Sequence, residues 1–291
     1  MKSKLALGTA QFGFDYGISN KTGQVRDSEA IAIINIARKM GLTTIDTAMA
    51  YGESETRLGL IGVEEFEIIT KLPEFPDREF PVRDWVESQI NDSITRLRVD
   101  HLHGVLLHRP QQVLGSYGNE IVQALENLKE LGKIRQIGIS IYSPNELEAI
   151  MNKIKIDIVQ APMNILDQRL ERSGWLEKLK DLGIEVHARS IFLQGLLLLD
   201  RNSLPSKFKD WKFIFNQWND WLDENSEVNA AEACLSYIYN KDSVNKIIVG
   251  VENLKQFEEL INFSSNLKEV HYPNLFIEDE NLLHPSNWNG L

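Results

Sequence analysis

The chain has 291 residues, 43% hydrophobic and 25% charged, with 31 basic against 42 acidic side chains and a net charge of −11. That length fits one (β/α)8 barrel of roughly 250 residues with added loops, and an acidic chain without a basic stripe argues against a nucleic-acid partner. The single cysteine, Cys234, excludes an internal disulfide; its apolar helical setting, AAEACLSYIY, reads as a packed thiol in a reducing compartment.

The first residues, MKSKLALGTAQFG, lack the long apolar region and small-residue cleavage site of a signal peptide. The most apolar stretch, Ile191 to Leu199, is too short to cross a bilayer and contains Gln194 and Gly195. The expected location is cytoplasmic, with no membrane partner.

Eight short strands are expected near residues 4–9, 43–47, 66–70, 102–107, 134–139, 156–160, 184–188 and 245–249. Amphipathic helices fall between them. One spans 27–40, starting at Asp27 and burying Ile31, Ile34 and Ile33. Another spans 144–152, with Pro144 at its first position and a capping box formed by Ser143 and Glu146. Three segments, ARKMGLTTIDTA, LKELGKIRQIGIS and LKDLGIEVHARS, share one grammar. A helix ends in a basic residue, glycine (Gly41, Gly132 or Gly183) takes the left-handed stop, and a strand follows. Helical crossovers join parallel strands, and eight alternations favour a closed (β/α)8 TIM barrel over an open sheet. The expectation is one barrel domain over residues 1–291, with a long excursion at 190–226 after strand six and a C-terminal tail at 264–291. In the excursion Trp211, Phe215, Trp218 and Leu222 recur at helical spacing, as a face packed on the barrel or as a wall of a substrate pocket.

Barrels place chemistry at the C-terminal ends of strands. The ionisable residues expected there are Asp46, Lys71, His108 and Arg189, with Tyr51 on the loop after Asp46. An ion pair to Asp46 would keep Lys71 charged, and a Tyr51 beside that cation would have its pKa lowered. Such a tyrosine can give a proton to a carbonyl oxygen held by His108, which is carbonyl reduction with hydride from a cofactor. His101 and His103 have a spacing open to a metal, but they lie at the start of a strand, away from the mouth, and no metal is expected.

The motifs LGTAQFG, IDTAMAYGESE, IITK and LLHRP, in this order, resemble the aldo-keto reductase family over nearly the whole chain. The resemblance implies a catalytic tetrad of Asp46, Tyr51, Lys71 and His108, with Tyr51 as general acid. It also implies a nicotinamide dinucleotide lying across the barrel mouth. There is no GxGxxG, so a Rossmann site is unsupported. Gly8, Thr9 and Asp46 fall among the cofactor positions, and Ser140 and Gln160 match the residues that hold the carboxamide. Ile141 departs from the asparagine common after that serine. Arg189 stands where many members stack an aromatic ring on the nicotinamide, and a planar guanidinium can stack too. Ser190, Gln194 and Gly195 fall near the pyrophosphate. Gly250, Glu252, Gln256 and Glu259 fall at the adenosine end. NADP(H) is expected over NAD(H) on the family's habit, although Glu252 would repel a 2′-phosphate and Lys255 is the only nearby cation.

The function implied is reduction of an aldehyde or ketone, a small-molecule carbonyl substrate, by a monomer or small homo-oligomer. The opening segment and ARSIFLQGLLL resemble reductases often encoded with bacterial surface-sugar enzymes, which implies a sugar-derived substrate. The alternative is a cofactor-binding regulatory subunit of the same fold with little turnover.

Overall fold

Helix stops and strand starts follow the glycine grammar. Gly41, Gly132 and Gly183 all have φ near +70°, the left-handed region where a side chain is penalised. They follow helices at Asp27–Lys39, Gly118–Glu130 and Trp175–Asp181. The chain described here is a computed structural model covering residues 3–76, 80–268 and 270–290.

Eight parallel strands close into a barrel in sequence order. They are β1 (Leu5–Gly8), β2 (Thr44–Asp46), β3 (Glu67–Leu72), β4 (Leu102–Leu107), β5 (Ile134–Ser140), β6 (Ile158–Pro162), β7 (Glu185–Arg189) and β8 (Lys246–Gly250). The (β/α)8 expectation holds, with β8 pairing back onto β1 through Leu5–Ile247 and Gly8–Gly250. Strand periodicity of two sends alternate residues into the barrel. Registered partners share a face, so Asp46, Ile69 and Gly104 align on one side, as do Lys71, Leu106 and Gly138. The lumen is filled by Ile69, Leu106 and Ile158. Gly138 makes room for them: a Cβ there would lie 2.5 Å from both the Ile158 carbonyl and a Leu106 methyl. The outward faces pack on the helices in a much larger apolar layer.

Three details differ from expectation. The long excursion follows β7, not strand six, because the strand ending at Arg189 is the seventh of the barrel. Ile31 is exposed; Ile33 and Ile34 face the core with Ala30 and Ala37, an i, i+3, i+4, i+7 stripe that leaves Ile31 outside. The segment after Ser143 has its capping box, but it begins as a 3₁₀ turn, Pro144–Glu146, before the helix Leu147–Met151.

The excursion helix, Lys212–Glu224, buries Phe215 and Trp218 with Leu222 partly covered. It packs into a second apolar cluster with Leu166, Leu197, Leu275, Leu282 and Trp288, so it is joined to the C-terminal tail. Trp211 Nε1 donates to Asp279 at 2.9 Å and Trp221 Nε1 to the His271 carbonyl at 3.0 Å. Cys234 is buried in this cluster, and burial pushes its thiol up. No described helix is long and apolar enough to cross a membrane.

The N-terminal end of the lumen is polar. His187 lies 3.2 Å from Glu185, and Gln136 donates to the same carboxylate at 3.1 Å. Among the described residues no cluster of His, Cys, Asp and Glu has the makings of a metal site. The hydrogen bond from His187 holds Glu185 at about 2, below its ordinary 4.5. A depressed carboxyl contributes stability above about pH 4.5 and loses it as the pH falls toward 2. Glu185→Gln removes that acid-labile contribution. The wild-type chain should therefore lose more of its urea midpoint between about pH 5 and about pH 3 than the variant does. Equal losses would show that the pair carries no acid linkage.

Candidate active site

β2 and β3 end side by side and deliver Asp46 and Lys71 to the same side of the barrel mouth. Lys71 Nζ lies 2.6 Å from Asp46 Oδ2 and 2.8 Å from the Thr47 carbonyl. Both side chains are almost wholly buried. The other Asp46 oxygen accepts from Gln160 Nε2 at 2.7 Å. Stripping two charges of water is unfavourable unless other hydrogen bonds offset it, and the Thr47 carbonyl and Gln160 supply one to each partner.

The stretch after Asp46 is a brace. Thr9 donates to the Asp46 carbonyl through both its backbone N–H and its hydroxyl, each at 3.0 Å. Ser54 Oγ donates to the Thr9 carbonyl at 3.0 Å. Glu55 is buried, accepting from Thr70 and Ser93 hydroxyls at 2.7 Å and from Arg96 at 2.6 and 2.8 Å. Ser54 and Glu55 of the IDTAMAYGESE motif are therefore structural. Gly13 fixes the height of Tyr51: a Cβ on it would fall 1.8 Å from the Tyr51 carbonyl oxygen.

Tyr51 sits above this pair. Lys71 Nζ is 5.0 Å from its ring centre. The ring meets Phe14 edge-on at 5.8 Å and His108 edge-on at 6.1 Å. The expectation that the lysine would pull the phenol down is corrected here. Burial, and then the Asp46 carboxylate, push Tyr51 well above an ordinary phenol, with Arg189 opposing. Burial also lowers Lys71, opposed by Asp46. His108 is pushed down to about 3 by burial, then by Lys71, Arg189 and Arg109, so it is neutral at pH 7.

One cavity of about 820 Å³ gathers every site residue expected from the sequence. Asp46, Tyr51, Lys71 and His108 lie on its wall with Gly8, Thr9, Ser140 and Gln160. Arg189, Ser190, Gln194 and Gly195 line it after β7, and Gly250, Glu252, Gln256 and Glu259 line it around β8. Ser140 and Gln160 are register partners on β5 and β6. With its Nε2 given to Asp46, Gln160 has a buried Oε1 without a hydrogen-bond partner among the described residues. Arg189 is held by the Ile141 carbonyl at 2.9 Å and Ser190 Oγ at 3.2 Å. Its guanidinium carbon is 4.4 Å from the Tyr142 ring centre. Ser190, Leu193 and Gln194 all have positive φ, a strained run that persists only where surroundings over-determine it. Here the loop after β1 supplies them, with Ile18 N–H donating to the Gln194 carbonyl at 2.9 Å.

At the β8 end Gln256 Oε1 accepts from the Glu252 N–H at 2.9 Å, and burial raises the Glu252 carboxyl. Lys255 points to Glu259 at 3.9 Å and is absent from the cavity wall.

Tyr16, Arg109, Tyr142 and Asn229 also line the cavity and were not anticipated. Arg109 had a signal, since it directly follows His108 in LLHRP, as had Tyr142, two residues past Ser140. Asn229 caps the helix Ala230–Tyr239 and reaches the cavity only through the fold.

The Aldo/keto reductase family profile matches residues 4–272. An uncharacterized oxidoreductase of Bacillus subtilis (strain 168), YqkF, is 27% identical, covering 89% of this chain and 90% of its own. The NADH-specific methylglyoxal reductase of Escherichia coli (strain K12) is 25% identical over 88% of each chain. In fold, the chain is similar to the aldo-keto reductase AKR11C1 from Bacillus halodurans (holo form), with a TM-score of 0.71 at 20% identity over 94% of this chain and 90% of that one. With a profile spanning nearly its whole length and the barrel to match, the chain belongs to the aldo/keto reductase family, oxidoreductases that use nicotinamide cofactors.

Proposed function

We propose that the chain is an NAD(P)H-dependent reductase of aldehydes or ketones in which Tyr51 is the general acid. The observation that carries this reading is the buried Lys71–Asp46 pair at the cavity wall, with Tyr51 and His108 beside it. The residues fit a nicotinamide: the unpartnered Gln160 Oε1 is an acceptor for a carboxamide N–H, and Ser140 stands next to it. Ser190, Gln194 and Gly195 would hold the pyrophosphate, and Gly250, Glu252, Gln256 and Glu259 the adenosine. Gly8 and Thr9 would close the floor, and Arg189 would cover the ring. When bound, the cofactor supplies hydride.

The protein's own part is to orient the substrate and move a proton. Neutral His108 donates a hydrogen bond to the substrate oxygen, which fixes its position. Tyr51, kept protonated by its burial, gives that oxygen its proton as charge develops there. Lys71 offsets Asp46, whose charge would otherwise make the phenol weaker still as an acid. A sugar-derived carbonyl suits a wall that carries Arg109, Tyr142 and Asn229.

Tyr51→Phe should bind cofactor as wild type does and lose turnover by at least about a hundredfold, the usual worth of a positioned acid. Undiminished reduction of a working substrate would remove Tyr51 from the mechanism. Lys71→Met should also lower kcat, and the basic limb of the pH–rate profile should move to higher pH, because Asp46 then acts on the phenol uncompensated. A limb that stays where it was would sever Lys71 from the proton transfer.

Cofactor choice follows from charge. The cations that line the cavity among the described residues, Lys71, Arg109 and Arg189, stand at the ends of β3, β4 and β7, while the β8 side carries Glu252 and Glu259. The family's habit favours NADP(H); the carboxylates favour NAD(H), and the relative from Escherichia coli is named as NADH-specific. The two cofactors should therefore bind with dissociation constants within about thirtyfold of each other, since one exposed ammonium such as Lys255 is worth only about 1 kcal/mol. Glu252→Lys should shift preference toward NADPH. Fluorescence titration of both cofactors against both proteins tests this. A wild-type preference above about a thousandfold, or no shift in the variant, contradicts the assignment of Glu252.

A further inference from the structure

Charge is unevenly spread around the cavity: Glu252 and Glu259 line it around β8, while Lys71, Arg109 and Arg189 line it at the ends of β3, β4 and β7. Lys71 is neutralised by Asp46. Arg109 and Arg189 have no carboxylate within ion-pair distance among the described residues, although the chain holds 42 acidic side chains. Both guanidiniums lie near the same ring, 6.0 Å and 4.4 Å from the centre of Tyr142. His284, from the C-terminal tail, stacks on that ring at 3.8 Å and 17°. With two guanidiniums around one ring and no carboxylate paired to either among the described residues, the arrangement gains when an anion joins it. Arg189 is already tied down by the Ile141 carbonyl and Ser190. Arg109 is exposed, follows His108 at the end of β4 and lines the cavity.

We propose that the substrate bears an anionic group, a carboxylate or a phosphate, beside its carbonyl, and that Arg109 is the side chain that reads it, against a wall made by Tyr142 and backed by His284. The proposal rests on the reductase reading and narrows its substrate. His108, which would hold the carbonyl oxygen, adjoins Arg109 in sequence, so a single small molecule can reach both. The cations also act on their neighbours: Arg189 and Arg109 both lower His284, after burial, and both lower His108. A positive field of that kind draws an anion in and weakens as salt screens it.

The test compares matched carbonyls on the intact enzyme with saturating cofactor. One arm sets 4-carboxybenzaldehyde against 4-methylbenzaldehyde, and the other glyceraldehyde 3-phosphate against glyceraldehyde. The wild type should show kcat/KM at least about tenfold higher for the anionic member of one pair, the low end for one charge-assisted hydrogen bond. The arm with the larger ratio identifies carboxylate or phosphate. The ratio should shrink between low and moderate salt. Arg109→Gln should cut kcat/KM for the anion about tenfold more than for its neutral partner and leave the cofactor dissociation constant unchanged. Calorimetric binding of 4-(hydroxymethyl)benzoate, the first arm's product, and of glycerol 3-phosphate, the second's, gives a readout that needs no turnover. Arg109→Gln should weaken one of them about tenfold. Equal rates on charged and neutral members of both pairs, or a variant that loses both members equally, overturns the proposal while the reductase reading stands. If no carbonyl is reduced but an anion still binds through Arg109, the reductase reading falls and the anion site remains.

Discussion

A buried lysine and a buried aspartate, joined at 2.6 Å, set the terms for the rest of this site. Neither charge could stay in the barrel mouth alone, and removing either partner from such a pair typically leaves about 3–5 kcal/mol uncompensated. The pair persists because four strand ends converge on it. β3 brings the lysine and β2 the aspartate. β6 brings Gln160 to the second carboxylate oxygen, and Thr9 at the end of β1 grips the aspartate's own carbonyl. Closing the barrel is thus what makes the ion pair affordable, and the ion pair in turn fixes where these ends can sit.

The same burial governs the groups above it. Desolvation of the two side chains disfavours their charged forms, so His108 stays neutral and Tyr51 stays protonated. A lysine next to a tyrosine invites the opposite inference, a lowered phenol, and sequence reading makes that inference. It fails because Lys71 spends its charge on Asp46 and faces the Tyr51 ring at 5.0 Å, while desolvation acts on the hydroxyl regardless. The outcome is a phenol that keeps its proton across the ordinary pH range.

What the residues revealed in advance divides along physical lines. Elements that report themselves locally were legible. Glycine stops at 41, 132 and 183, short apolar strands, the capping box at Ser143 and strand-terminal charges all depend on neighbours a few residues away. The candidate site was legible for the same reason, since barrel geometry turns "last residue of a strand" into "cavity wall", and each expected site residue lies there. Ile31 was misplaced because three isoleucines in one turn cannot all face inward, and the sequence alone does not choose the register. His284 was beyond reach altogether: its stacking on Tyr142 joins positions on opposite sides of three strands, and no local pattern encodes it.

That last contact points to how this fold divides labour. The barrel supplies the ion pair and the floor of the cavity on strand ends that their hydrogen-bonded neighbours hold in place. The excursion after β7 and the tail contribute nothing to closure. Yet they bury a second apolar cluster of their own, with Trp218 stacked on Trp221 at 5.2 Å and Trp221 on Tyr272 at 5.5 Å. That cluster anchors the tail, and Arg169 adds a polar tie. It holds buried Asp167 at 2.8 Å, the Tyr142 carbonyl at 2.9 Å and Glu280 at 3.4 Å, so it links the loop after β6, the loop after β5 and the tail. Tyr142 is therefore fixed twice, by its backbone through Arg169 and by its ring through His284. A wall fixed by packing outside the barrel can change its chemistry without disturbing the ion pair beneath it. The wall and the ion pair can then vary independently on one scaffold.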